Sequence, residues 1–286
     1  MSNITVAQCL QLAPELESIS DSARLDIELI LCHILQKNRT WLFTWPDKTL
    51  TAEQENVFND FFARRKNGEP VAHIIGQREF WSLPLIVNNS TLIPRPDTEL
   101  LVELTLELFA QDEPETQRHC LDLGTGTGAI VLALASEKPH WNLLGVDQSA
   151  DAVALAEQNR QHLGFENVRI VQSNWFAQIS TQLFDVIVSN PPYIDPQDPH
   201  LVQGDVRFEP RSALIADNHG LADIELIIRE SKNYLSIDGW LLLEHGYDQG
   251  EAVRKLFAQN GFEQVETRRD LGGNERVSLG RKTESQ

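Results

Sequence analysis

From residue 119 onward, short apolar runs alternate with helical patterns. "HCLDLG", "NLLGVD", "VRIVQS", "FDVIVS" and "GWLLLEHG" are interspersed with segments such as "ADAVALAEQNRQHLG", "LADIELIIRESKNYL" and "GEAVRKLFAQNG". Strands alternating with helices imply a mostly parallel sheet covered on both faces. Two last strands are expected near 263–268 and 275–280, joined only by "RDLGGNE". A parallel crossover needs a dozen or more residues, so these two form an antiparallel hairpin at the sheet edge. The fold class is α/β.

The first 70 residues have a different texture. Thr5 with Gln8, and Thr51 with Gln54, match capping boxes. "SARLDIELILCHIL" places Ile27, Ile30, Leu31 and Ile34 on one helical face, widened by Leu25, Leu29 and Cys32. The helix that begins near Thr51 is expected to bury Val57, Phe61 and Phe62 and to stop at Gly68, with Pro70 just beyond. "EFWSLPLIVNNSTLIPRPD" is rich in β-branched and aromatic residues and interrupted by turn formers, so it reads as a hairpin or extended link. The expected organisation is a small helical bundle over 1–75, a hairpin linker over 76–96 and the α/β domain over 97–286.

The formal net charge of −18 argues against tight binding to a nucleic-acid backbone. The compact basic cluster, "ARRKNG" at 63–68, reads as a solvated helix end. Cys9, Cys32 and Cys120 suit neither a disulfide framework nor a metal knuckle. With no secretory signal and no apolar stretch near the roughly 20 residues that a bilayer span needs, a cytoplasmic protein is expected.

"LDLGTGTGAI" (121–130) follows the first strand of the alternating region and opens a helix. Gly124, Gly126 and Gly128 let the backbone turn sharply and approach a ligand, and Thr125 and Thr127 complete the loop. Asp147 ends the next strand, where a carboxylate can bind two ribose hydroxyls. This pattern admits both a nicotinamide dinucleotide and S-adenosylmethionine. Asp122 shifts the balance: negative charge beside the loop repels a pyrophosphate and not an ammonium or a sulfonium. Trp175, in "SNWF", can stack on a flat base, and Asn174 can exchange hydrogen bonds with an adenine edge.

"VSNPPYIDP" closes the fourth strand, and no His, Cys, Asp or Glu occupies Asn190–Tyr193. General-base chemistry is therefore not what the stretch serves. It suits a planar nitrogen with two N–H groups and a poorly available lone pair. Asn190 Oδ1 accepts one N–H and the Pro191 carbonyl the other, orienting the nitrogen toward an electrophilic methyl. Pro191 and Pro192 stiffen the turn, and the Tyr193 ring lies against the planar group. A plain strand-terminating turn is the alternative.

Further segments carry the resemblance to a known family. They are "EPVAHIIGQREFW" (69–81), "LIPRPDTEL" (92–100), "NPPYI" (190–194), "DVRFEPRSAL" (205–214) and "NERVSLGR" (274–281). With "DLGTGTG" and Asp147, this ordered set resembles the bacterial peptide chain release factor glutamine methyltransferases, the PrmC/HemK family. The resemblance implies a Rossmann-like class I methyltransferase sheet and transfer of a methyl group from S-adenosylmethionine, with S-adenosylhomocysteine as product and no metal. The acceptor it implies is the side-chain amide of the Gly-Gly-Gln glutamine in class I release factors. Gly124 to Gly128, Asp147, Trp175 and Asn190 fall on the family's cofactor positions, and Asn190 to Tyr193 on its substrate-amide positions. Asn174 stands where the family usually has aspartate.

The helical bundle is then expected to recognise the body of the protein substrate, with no direct nucleic-acid or membrane partner and a monomeric enzyme. A ribosomal-protein glutamine methyltransferase and a nucleic-acid adenine N6-methyltransferase are the competing readings. Arg95, Asp97 and Glu99 roof the pocket or, for Asp97, cap a helix. Phe208, Glu209 and Arg211 hold substrate or pack a loop, and His245 is expected to be structural.

Overall fold

The structure, a computed structural model, describes residues 4–180, 182–202 and 204–284. The ends of the expected ranges 1–75 and 97–286 lie outside the described residues. The chain divides into two compact units. One takes in the described residues up to Gln77 together with Pro199–Phe208; the other is Arg78–Asp198 with Glu209 onward.

The first unit contains α1 (Val6–Leu10), α2 (Ala23–Leu35), α3 (Arg39–Thr44), α4 (Ala52–Lys66) and α5 (Val71–Ile75). Both capping boxes form: Thr5 and Gln8, and Thr51 and Gln54, exchange side-chain and backbone hydrogen bonds of 2.8–3.2 Å. Ile27, Ile30 and Leu31 are fully buried with Leu16, Leu42 and Phe58. Two sequence expectations need correction. Leu25 and Val57 are exposed, because α2 turns its flank to solvent and α4 buries Phe58, one residue round the helix. The basic cluster is also not simply solvated. Arg65 is buried, donating to Asp26 at 2.7 Å and to Asp205 at 3.1 Å, while Arg64 pairs with Glu69 and Lys66 with Glu15.

The second unit opens with β1 (Gln77–Phe80) and β2 (Leu83–Ile86), a two-stranded sheet that borrows Gln77 from the boundary. Then come α6 (Glu99–Leu108), β3 (His119–Leu123), α7 (Ala129–Glu137), β4 (Asn142–Asp147), α8 (Ala150–Leu163), β5 (Val168–Gln172) and β6 (Phe184–Ser189). The chain continues through α9 (Asp217–Gly220), α10 (Ala222–Ser231), β7 (Leu235–Glu244), α11 (Gly250–Gln259), β8 (Phe262–Arg269) and β9 (Glu275–Lys282).

The seven-stranded sheet has the order β5-β4-β3-β6-β7-β9-β8. β5 to β7 pair in parallel; β9 runs antiparallel to β7 and β8. Side chains alternate between faces, as the pleat requires. Cys120, Val186, Val188 and Leu242 pack with α6 and α7, whereas Leu121, Leu123, Ile187, Leu241 and Leu243 pack with α10 and α11. Helix α7 is buried from Ala129 to Ala135, which explains why it carries no polar face. β3 has β4 on one side and β6 on the other, so the order in which strands are added reverses there and a crevice opens at the carboxyl ends. Among the described residues no helix is long and apolar enough to cross a membrane.

Candidate active site

The crevice is a cleft of about 970 Å³, counted out to solvent. Its walls come from the turns after β3, β4, β5 and β6, from Ser90, Thr91, Leu92, Pro94, Arg95 and Thr98, and from Ser212 and Ala213. Among the described residues no group of three or more His, Cys, Asp or Glu could hold a metal ion.

Gly124, Gly126 and Gly128 all have left-handed backbone, at φ +70°, +55° and +84°. Their tasks differ. Gly124 and Gly126 line the cleft. Gly128 does not; a Cβ there would come within 2.9 Å of Leu132 and 3.4 Å of Ala156, so it serves close helix packing. Thr125 and Thr127 line the cleft, and Thr125 N–H donates to Val146 O at 2.9 Å. Asp147 accepts from Gly126 N at 3.0 Å and from Ser149 N at 2.9 Å, fixing the glycine turn to the end of β4. Burial raises its carboxyl above the usual range against those N–H bonds.

Asp122 lies beneath the loop and does not line the cleft. It accepts from the Thr125 hydroxyl at 2.6 Å, and burial pushes its carboxyl up to about 7. Its influence on a ligand therefore passes through Thr125 and through its field.

Trp175 sits at φ +47°, a conformation that costs a bulky residue of order 1–3 kcal/mol. Ser173 holds the turn, its hydroxyl donating to Trp175 O at 2.6 Å and accepting from Gln178 N at 3.1 Å. The indole also donates to Asp223. The ring thereby forms a cleft wall, 3.5 Å from where a Cβ on Gly124 would stand. Asn174 is exposed on the same wall.

Asn190 and Pro192 line the cleft; Pro191 is buried behind them and Tyr193 points away from the lining. Asn190 Nδ2 donates to Thr98 Oγ1 at 3.2 Å, and Tyr193 Oη to Glu244 Oε1 at 3.3 Å. Burial and the Glu244 charge raise the phenol well above its ordinary range, so it stays protonated.

Of "RPDTE", Arg95 and Thr98 reach the cleft. Asp97 caps nothing: it lies inside a short 3₁₀ turn over Pro96–Thr98 and faces Arg276 at 3.6 Å. Glu99 accepts from Trp81 N at 2.8 Å. Glu209 receives Ile93 N at 3.0 Å and pairs with Arg95 at 2.7 Å, so it braces the segment that lines the cleft. Phe208 belongs to the helical unit, and Arg211 sits in a 3₁₀ turn. His245 is buried between Gly246 O and Ser278 Oγ, both at 2.8 Å, and burial lowers its basicity.

Sequence reasoning missed three contributors. Buried Asn159 of α8 donates to Thr127 O and exchanges bonds with Ile86, stitching β2 to the glycine loop. Gly145 leaves room for Thr125, whose Oγ1 would stand 2.9 Å from a Cβ there. A lone glycine inside an apolar strand is the available signal. Glu244 is the third, a carboxylate that directly follows the apolar run Trp240–Leu243 at the end of β7.

Comparison with known proteins bears on this site. Residues 10–76 match the family model described as the PrmC N-terminal domain, and residues 98–205 the one described as a methyltransferase small domain. The chain is 52% identical over 277 residues to the release factor glutamine methyltransferase of Shewanella oneidensis, covering 96% of each chain. It is 55% identical over 262 residues to the protein so named from Escherichia coli, covering 92% of this chain and 93% of that one. In fold it is similar to a methyltransferase structure from Pyrococcus furiosus, with a TM-score of 0.52 at 16% identity, spanning 79% of this chain and 99% of that one.

Proposed function

The chain belongs to the release factor glutamine methyltransferase family, more than half identical to relatives of that name along almost its whole length, and from that premise we propose how its own residues carry the reaction. The enzyme transfers a methyl group from S-adenosylmethionine to the side-chain nitrogen of a glutamine in a peptide chain release factor. The acceptor is the glutamine of the Gly-Gly-Gln motif.

One arrangement carries the reading. Asn190 lines the cleft with its Nδ2 given to Thr98, so its Oδ1 is the atom left to receive an N–H from a substrate. The second acceptor is the Pro191 carbonyl: the Pro191 ring is buried behind the lining, but its peptide oxygen lies between Asn190 and Pro192, which both line the cleft. A carboxamide nitrogen has two N–H groups and a lone pair delocalised into its carbonyl. Two fixed acceptors orient that nitrogen and favour the positive charge it gains on alkylation. The paired prolines keep the acceptors from relaxing away, and Tyr193 backs the turn. The methylated nitrogen is acidic and gives its extra proton to water. No general base is required.

The features of the cleft fit S-adenosylmethionine, which supplies an electrophilic methyl on a positively charged sulfur. Gly124 and Gly126 admit the ligand against bare backbone. Asp147 retains lone pairs for ribose hydroxyls beyond the two N–H bonds it already accepts. Trp175 offers a ring face for a base, with Asn174 beside its edge.

The helical unit recognises the folded body of the release factor. Phe43 and Trp45 are 52% and 57% exposed, large apolar groups of the kind a protein partner covers. The basic run at 64–66 is engaged in ion pairs, which favours a protein over a nucleic-acid substrate.

Incubation with labelled S-adenosylmethionine and, separately, a release factor, a ribosomal protein and DNA tests the assignment. Label is expected on the release factor glutamine; label on ribosomal protein or DNA instead would overturn it. Replacing Phe43 and Trp45 by alanine is expected to raise KM for the folded factor and not for a short Gly-Gly-Gln peptide.

A further inference from the structure

Glu244 ends β7, and no step described above uses it. The sheet register explains its location. Leu243 stands opposite Ser189 in the parallel pair β6–β7, so the next residues, Glu244 and Asn190, follow side by side at the carboxyl end of that pair, with Glu244 still held opposite Val277 of β9. The Glu244 side chain is 2% exposed. Tyr193 Oη donates to its Oε1 at 3.3 Å. The Thr98 hydroxyl also interacts with the carboxylate and favours its ionised form. Oε2 is buried and has no hydrogen-bond partner of standard geometry among the described residues. Thr98 Oγ1 in turn receives Asn190 Nδ2 at 3.2 Å.

Counting protons gives this chain a direction. A carboxylate only accepts, and a hydroxyl has one proton to give. With an unfilled carboxylate oxygen beside it, Thr98 turns its proton to Glu244 and can only accept from Asn190. Asn190 must then present its NH₂ to Thr98 and its carbonyl oxygen to the cleft. If the group at position 244 could donate, Thr98 could point its proton at Asn190 Oδ1 and the amide would flip. Two N–H groups would then face a substrate nitrogen that itself carries two. A neutral amide would be cheaper to bury than a carboxylate, but it carries donors and cannot impose a direction.

We infer that Glu244, acting through Thr98, is the positioning residue that holds the Asn190 amide with its oxygen toward the substrate nitrogen, and that through Tyr193 it secures the other end of the same turn. The inference rests on Asn190 being the acceptor in the proposed reaction. The charged groups facing Glu244 are Arg276 of β9 and Asp97 of the turn before α6. Burial outweighs Arg276 and brings the carboxyl up to about 7, so the directing form is complete only above that pH.

The test compares Glu244→Gln, Thr98→Val, Thr98→Ser and Asn190→Ala in the full-length enzyme acting on a release factor. Glu244→Gln and Thr98→Val are expected to lower kcat about ten- to a hundredfold, with S-adenosylmethionine binding by calorimetry unchanged. Thr98→Ser keeps the hydroxyl and is expected to keep turnover, whereas a packing role for Thr98 would make Val the better substitute. The wild-type kcat is expected to rise with pH through about 7, and Glu244→Gln to remove that rise. Wild-type turnover and pH profile in Glu244→Gln, or equal activity of Thr98→Val and Thr98→Ser, with Asn190→Ala inactive, would overturn the role of Glu244 alone. Full turnover in Asn190→Ala would overturn the acceptor reading and this inference together.

Discussion

Ser189 stands opposite Leu123 in the parallel pair β3–β6, and its hydroxyl donates to the Leu123 carbonyl at 2.7 Å. Gly124 and Asn190 follow directly, so one buried hydrogen bond ties the start of the glycine loop to the start of the Asn-Pro-Pro-Tyr turn. Ser189→Ala is expected to cost about 0.5–1.5 kcal/mol of stability in denaturant unfolding. It is also expected to reduce kcat more than S-adenosylmethionine affinity, because the two loops lose their common reference.

Asp147 accepts two backbone N–H groups, from Gly126 and Ser149. An asparagine there has one oxygen, and its NH₂ would face a donor. Asp147→Asn is expected to weaken S-adenosylmethionine binding about ten- to a hundredfold by calorimetry, with a smaller effect on kcat at saturating cofactor.

Gly220 has φ +80°, and a Cβ on it would run into the Tyr193 carbonyl. Gln249 Nε2 donates to that same carbonyl at 3.0 Å, so the space beneath the turn is filled. Gly220→Ala is expected to destabilise the protein by about 1–3 kcal/mol and to lower kcat at temperatures where it remains folded. A thermal melt and a turnover assay on the same sample separate the two effects.

Asp122 makes stability depend on pH in a direction opposite to that of an ion-paired carboxylate. Its folded carboxyl titrates near 7, and an unfolded aspartate near about 3.9. Between those values the folded state holds a proton that the unfolded state has lost. Stability therefore falls as pH rises through this window, and the cost is complete above about 7. Asp122→Asn removes the buried charge and can still accept from Thr125. Its gain in Tm is expected to be larger at pH ~8 than at pH ~5.5.

The sheet was legible because its central strands are covered on both sides and read as unbroken apolar runs. The capping boxes and the antiparallel edge were legible because each is decided by residues close in the chain. The residues lining the cleft were legible in part. The glycine loop, Asp147, Trp175 and Asn190 lie where strands end, and sheet topology brings strand ends together. Asp122, Gly128 and Tyr193 read as ligand contacts from charge, backbone freedom and ring chemistry, but one residue along a strand or turn moves a side chain from cleft to core. Glu244, Thr98 and Asn190 meet only through register and tertiary packing, across separations that no local pattern records. The same holds for Arg65: charge suggested solvent, and its carboxylate partners lie 39 and 140 residues away.

The path of the polypeptide constrains how this protein can be dissected. Pro199–Phe208 follows the Asn-Pro-Pro-Tyr strand in sequence yet packs as part of the helical unit, where Asp205 meets Arg65. Truncation after Gln77 would amputate the helices but leave that ten-residue excursion behind, stripped of the Arg65 counter-ion and of the rest of its unit. An inactive truncated protein would then report an orphaned loop as readily as a lost docking surface.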